Sequence, residues 1–297
     1  MDIFDILDPL DKREKALLLY SLLNRLPIII FGSSSDKIDQ FIIELIELIN
    51  FRKDLVFNTD FISYSEFHAL IENETNDYNM MRIQVRCSTS SAMKALKEFV
   101  KFESIIIGFK IKNDTELVVI KDQINQKENN YLEIFIEDEQ ISIKMEYNHN
   151  STINTSLEQN IFKKITENTE VSIDKMKRVL SESIIKEGYD GDLKNILLDL
   201  ESEKREIKKN ILHKEIKNFY AGSKRAFFLL SKLDLLNNMN IGSKIGSKTL
   251  LETIDYHDAP IERILSFINK EWGHDFSYLI ENNKLTFIGE KIQSFWG

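Results

Sequence analysis

The segment Gly32-Ser33-Ser34-Ser35-Asp36-Lys37-Ile38 carries the residue types from which a phosphate cradle is made. In such a cradle, backbone N–H groups of a glycine-containing loop and a lysine meet the anion at a helix N-terminus. Gly32, Ser33, Ser34, Ser35 and Lys37 would be the cofactor-binding residues of a nucleotide-dependent switch. The working pattern, however, is G-x-x-x-x-G-K-[ST]. Here the second glycine is missing, the loop is one residue short, and Ile38 stands where a hydroxyl would hold magnesium. Asp36 adds a carboxylate where phosphate needs positive potential. A phosphate loop of this kind is degenerate, and the simpler expectation is that Ser35 or Asp36 is the N-cap of a buried helix.

A second partial match lies at Gly242-Ser243-Lys244-Ile245-Gly246-Ser247-Lys248-Thr249, where three residues rather than four separate the glycines and Ser247 splits the Gly-Lys pair. Thr249 with Glu252 fits a capping box instead. The dyads His257-Asp258 and His274-Asp275 suggest acid–base or metal chemistry, but adjacent side chains do not converge on one point. Five histidines and one cysteine are scattered along the chain, so no metal site and no cofactor are expected. Cys87, at the end of a predicted strand, reads as a small buried apolar group. The acidic turn Glu137-Asp138-Glu139 has no calcium-loop spacing around it. No catalytic residue is assigned, and the chain is not expected to be an enzyme.

The elements that must position these residues are legible in the hydrophobic pattern. Residues 12–26 predict a helix capped by Asp11 and stopped by Pro27. Ile28, Ile29, Ile30 and Phe31 form an uninterrupted apolar run, the pattern of a central strand covered on both faces. A mostly buried helix follows, with Ile38, Phe41, Ile42, Leu45, Leu48 and Ile49 on one stripe. Strands are predicted over 54–57, 82–86 and 104–111, with helices over 63–72 and 91–100 between them. This alternation predicts an α/β domain over residues 1–147, Rossmann-like, with a mainly parallel sheet. Residues 116–120, 131–136 and 140–146 are predicted as further strands adding an antiparallel edge. A linker is expected over 148–156, rich in Asn, Ser and Thr.

A helical connector over 157–240 is expected next, with helices over 171–185, 192–219 and 226–236. Leu193, Leu197, Leu200, Ile207 and Ile211 give the second of these a heptad stripe suited to packing within the chain or to a homodimer seam. The C-terminal module, 241–297, reads as helix 248–256, a turn at Asp258-Ala259-Pro260, helix 261–272, a hairpin over Asn282-Asn283 and a closing helix 290–296.

Composition limits what such a chain can do. Net charge is −9, and residues 1–150 account for all of it, with 17 lysines and arginines against 26 acids. Duplex binding needs clustered cations, so the front half is a poor nucleic-acid surface. The N-terminus is acidic, unlike a targeting peptide, and no apolar stretch approaches a membrane span. A single cysteine fits a reducing compartment. A cytoplasmic chain without integral membrane association is expected.

Two resemblances refine this. Helix, turn, helix and hairpin, with Leu285-Thr286 and Gly289 at the strand-to-helix exit, resemble a winged-helix domain. Arg263 and Lys270 are balanced by Glu262 and Glu271 along helix 261–272, which implies protein contact or dimerisation rather than DNA reading. Ala16 to Leu23 leading into Pro27-Ile28-Ile29-Ile30-Phe31-Gly32, with Ser104-Ile105-Ile106-Ile107-Gly108 and Leu117-Val118-Val119-Ile120-Lys121-Asp122, resemble the central part of DENN modules, which implies regulation of a small GTPase. The expectation is therefore a non-enzymatic regulatory or scaffolding protein, working through a protein partner or a homodimer made by the connector or the C-terminal module. A nucleotide-binding switch and a winged-helix transcription regulator reading DNA through 261–284 are the alternatives.

Overall fold

The computed structural model describes residues 2–76, 81–137, 141–147, 153–187 and 200–281. They fall into two compact units, Met1–Ile216 and Lys217–Gly297. Among the described residues, no helix is long and apolar enough to cross a membrane.

The first unit opens with two short-range solutions to the problem of orphan N–H groups at a helix start. Helix α1 (Ile3–Leu7) is capped by Asp2 with Asp5 reciprocating, and α2 (Lys12–Leu23) by Asp11 with Glu14 reciprocating. Helix α2 ends three residues earlier than predicted, because Arg25 turns left-handed (φ 58°) before Pro27. Its orphan carbonyls are taken by a buried guanidinium. Arg52 donates to Leu22 O at 2.8 Å, to Leu23 O at 2.9 Å and to Gln84 Oε1 at 3.2 Å. Gln84 in turn donates to Ser104 O at 2.7 Å, and Arg25 donates to Ile83 O and Ser104 Oγ.

Strand β1 (Ile28–Gly32) is buried at every position. Helix α3 (Ser35–Leu48), strand β2 (Lys53–Val56), helix α4 (Tyr64–Asn76), strand β3 (Ile83–Cys87), helix α5 (Ala92–Glu98) and strand β4 (Ile105–Lys110) follow. The next element corrects the sequence expectation: residues 116–120 lie in a helix, α6 (Asp114–Asn125), not in a strand. The β-branched run Val118-Val119-Ile120 suggested a strand, but Asn113 caps the segment and accepts from Glu116 N at 2.9 Å. Only Ile120 and Ile124, one turn apart, are buried in it, while Val118 and Val119 face out. Lys121 then ties α6 to the sheet through the buried carboxylate of Glu133, at 2.8 Å.

With α6 as a crossover, β5 (Asn130–Ile136) runs parallel to β1, and β6 (Ile141–Tyr147) alone is antiparallel. The sheet order is β2-β3-β4-β1-β5-β6. Right-handed crossovers place α3, which carries the chain from β1 out to β2, on one face, and α4, α5 and α6 on the other. Packing agrees. Ile29, Phe31, Val85, Ile107 and Phe109 share one core with Phe67 of α4, Leu96 of α5 and Ile120 of α6. On the opposite face α3 lies so close to β4 that a Cβ on Gly108 would sit 2.3 Å from Ile38 Cγ2.

Helix α7 (Ser156–Glu187) begins well before the predicted residue 171 and buries Leu157, Ile161, Ile165, Thr169 and Ile173 at four-residue intervals. Helix α8 (Glu201–Asn238) joins the described part of the helix predicted over 192–219 to the one predicted over 226–236, while 192–199, with Leu193 and Leu197, lie outside the described residues; its residues through Ile216 belong to the first unit. Within that unit Arg205 pairs with Asp5 and Lys208 with Asp8 on α1, while Lys209 pairs with Glu44 on α3 at 2.8 Å.

The second unit contains the rest of α8, strand β7 (Ile245–Gly246), helix α9 (Ser247–Thr253), helix α10 (Ile261–Trp272) and strand β8 (Ile280–Glu281), which pairs parallel with β7. Its core is aromatic: Phe219 meets Phe267 edge-on at 4.9 Å, and Phe227 stacks on Trp272 at 4.8 Å. Thr249 does not cap α9, which begins two residues earlier behind Gly246, so Thr249 lies inside the first turn. Helix α10 matches its predicted span and is closed by Gly273 in the left-handed conformation (φ 74°). The hairpin over Asn282-Asn283 and the helix 290–296 lie outside the described residues, as do residues 148–152 of the expected linker.

Two substitutions test this architecture. Replacing Arg52 with Met removes the guanidinium donors from Leu22 O, Leu23 O and Gln84 Oε1 and should cost about 2–4 kcal/mol, read as a lowered urea midpoint. Gly108→Ala must displace Ile38 and should cost roughly 1–3 kcal/mol in the same measurement.

Candidate functional site

Helix α3 follows β1 on one face of the sheet, and α6 follows the adjacent β4 on the other. The carboxyl ends of β1 and β4 therefore flank a topological switch point, the place where open α/β sheets leave a crevice for ligands. The loop after Gly32 lies there, as does the β4–α6 connection with the exposed Lys110 and Lys112.

The loop itself is compact. Only Ser33 and Ser34 separate β1 from α3, and Ser34, rather than Ser35 or Asp36, is the N-cap, with its hydroxyl accepting from Lys37 N at 3.5 Å. Gly32 has a packing reason of its own, since a Cβ there would meet Ile136 O of β5 at 2.6 Å. Among the described residues the only glycine with positive φ is Gly273, so the loop does not form the alternating right- and left-handed nest that points consecutive N–H groups at an anion. Asp36 lies in the first turn of α3 and supplies the negative charge that this end of the helix favours.

One turn further, Asp39 turns sideways to the loop after β3. Its carboxylate accepts from Thr89 N at 2.8 Å and from Thr89 Oγ1 at 3.0 Å. This clamp joins α3 to the β3–α5 connection and had no signal in the sequence, because the partners are 50 residues apart. Cys87 ends β3 beneath it, fully buried. Burial, with the Asp39 charge adding to it, pushes the thiol up to about 12, so at neutral pH the free side chain is held as the neutral thiol.

The two histidine–aspartate dyads belong to the second unit. His274 stacks on Phe276 at 5.5 Å inside the second unit, while Asp275 caps a turn, accepting from Ser277 N at 2.9 Å, and that backbone hydrogen bond lowers its pKa. No group of three or more metal-ligating side chains is found among the described residues. Asp138 and Glu139 lie outside them. Gly32, Ser33, Ser34, Ser35 and Lys37 are thus together at one sheet edge, with a helix N-terminus among them but without a wrapped loop.

Comparison with known proteins adds no neighbour: no family model, curated protein or solved structure matches the chain.

The Cys87 environment is directly testable. Iodoacetamide should label the native chain at pH 8 at less than about a tenth of the rate seen in denaturing urea, because the thiolate is scarce and enclosed. Equal rates would mean that the strand end opens freely.

Proposed function

We propose that the chain is a non-enzymatic regulatory or scaffolding protein that acts through protein contacts. The observation that carries this is the direct hand-over from β1 to α3. The crevice at the switch point begins with a two-residue connection capped by Ser34 and with Gly32 pressed on Ile136 O. An α/β domain with that place occupied by its own packing retains the outward surfaces of its covering helices for partners. A small GTPase is the first partner to try, on the DENN-like layout of residues 16–122.

The second unit is compatible with the same role. The order long helix, short strand, two helices and a strand paired with the first is what supports the winged-helix reading, as far as residue 281. On α10 the outward residues are Glu262, Ser266, Asn269 and Lys270, with no surplus of cations to meet phosphates, which favours a protein contact over DNA.

A nucleotide-dependent switch is the second reading, favoured by the position of the loop at the switch point. Isothermal titration with ATP and with GTP in magnesium separates the two. The scaffold reading expects no heat up to millimolar ligand; saturable binding weakened by Lys37→Ala would replace it with the switch. Co-purification and light scattering supply the complementary measurement, since a chain that is monomeric and recovers no partner would end the scaffold reading.

A further inference from the structure

Away from the switch point, the first unit contains a cleft of about 650 Å³, within the range of sites that enclose a ligand. Its walls come from α1, the first turn of α2, the first turns of α7 and Lys208 of α8. The floor is apolar, formed by Phe4, Leu7, Phe162 and Ile165. The rim is cationic: Lys12, Lys15, Lys163 and Lys208 stand against only two acids, Asp8 and Glu167. Both acids are engaged. Asp8 holds Lys208 at 3.0 Å, and Glu167 faces Lys163 at 3.7 Å in an exposed pair that holds it weakly. Lys12 and Lys15 come from the stretch 1–150, which carries a net −9, so within that stretch they are a local reversal of sign.

We propose that this cleft is a docking site for an acidic amphipathic helix of a partner protein, whose apolar side chains pack on the half-buried Phe162 and whose carboxylates meet the lysine rim. Lys15 and Lys208 meet at Asp8, through its main-chain oxygen at 3.5 Å and its carboxylate at 3.0 Å, so an acid of the chain itself already stands where those two cations converge. Lys12 and Lys15 are a turn apart on α2, Lys163 lies on α7, and Lys208 is held over the Phe4 ring at 5.3 Å. Separate ammonium groups along an apolar trough match charges spaced along a helix with apolar anchors at i, i+3/i+4 and i+7. A bilayer fits less well, since Phe4, Leu7 and Ile165 are recessed rather than protruding, each no more than 3% exposed. A nucleic acid would bring its dense charge against the acidic remainder of the unit.

This inference rests on the scaffold reading but has a separate test. Fluorescence anisotropy of the full chain is measured with two labelled peptides of the same leucine and glutamate composition. One has leucines at every third and fourth position; in the other the leucines alternate, which destroys the helical stripe. The striped peptide should bind with a dissociation constant on the order of 10 μM, more weakly as salt rises, and at least about tenfold more weakly to K12E/K163E, whose two sites are exposed. Circular dichroism of the variant confirms that it is folded. Equal binding of both peptides, equal binding by the variant, displacement by inorganic phosphate or ATP, or uptake on phosphatidylserine vesicles without peptide binding would each overturn the proposal. If wild type and variant recover the same cellular partner, the scaffold reading stands and the cleft is not its contact. If the striped peptide binds but no partner is recovered, the cleft stands and the scaffold reading falls.

Discussion

Every position of β1 is buried, and that single requirement organises the first unit. A strand with no face toward water must have a layer on each side of the sheet and a paired strand on each edge. The pairing comes from β4 and β5, both parallel to it. Parallel neighbours need crossovers, and the crossovers supply the layers: α3 above, with α4, α5 and α6 below. Phe31 shows how tightly the result is filled, with its ring 5.7 Å from Phe109 and 5.1 Å from Phe135 on the two neighbouring strands. The geometry of the loop after Gly32 is a by-product of the same packing, since the close approach of β5 and of α3 leaves no room for a wider turn.

Charge is deployed around that apolar frame mostly for positioning. Acids at Asp2, Asp11 and Asp36 serve helix starts, and Asp39 joins α3 to the β3–α5 connection at the carboxyl edge of the sheet. Cations on α8 fasten that helix to α1 and α3 through Asp5, Asp8 and Glu44. The acidity of the front half is thus partly the acceptor set for its own helix ends and for α8.

Much of the fold was legible because periodicity reports burial. The run Ile28 to Phe31, the stripe of α3 and the 12-residue α10 are all elements whose burial pattern differs sharply from alternatives. Helix α6 was not legible, since Val118 and Val119 favour a strand by type and only the Asn113 cap and the Ile120–Ile124 spacing argue otherwise. Mistaking it hid the crossover, and with it the switch point between β1 and β4. The candidate loop was recognisable as a segment, but its N-cap was placed one or two residues late, because three successive serines offer the same hydroxyl and only backbone geometry selects Ser34. The Asp39–Thr89 clamp and the lysine rim join residues far apart in sequence, so local pattern carried no trace of either.

The Arg52 guanidinium couples the end of one helix to a distant part of the chain. Leu22 O has a local donor in Arg25 N at 3.4 Å, but Leu23 O takes its guanidinium hydrogen bond from residue 52, 29 positions later. Residue 52 arrives through β1 and the whole of α3, so the last turn of α2 and the first crossover are completed in one event. The end of helix α2 is therefore closed in part by local backbone donors and in part by a non-local side chain that is in place only when α3 has docked.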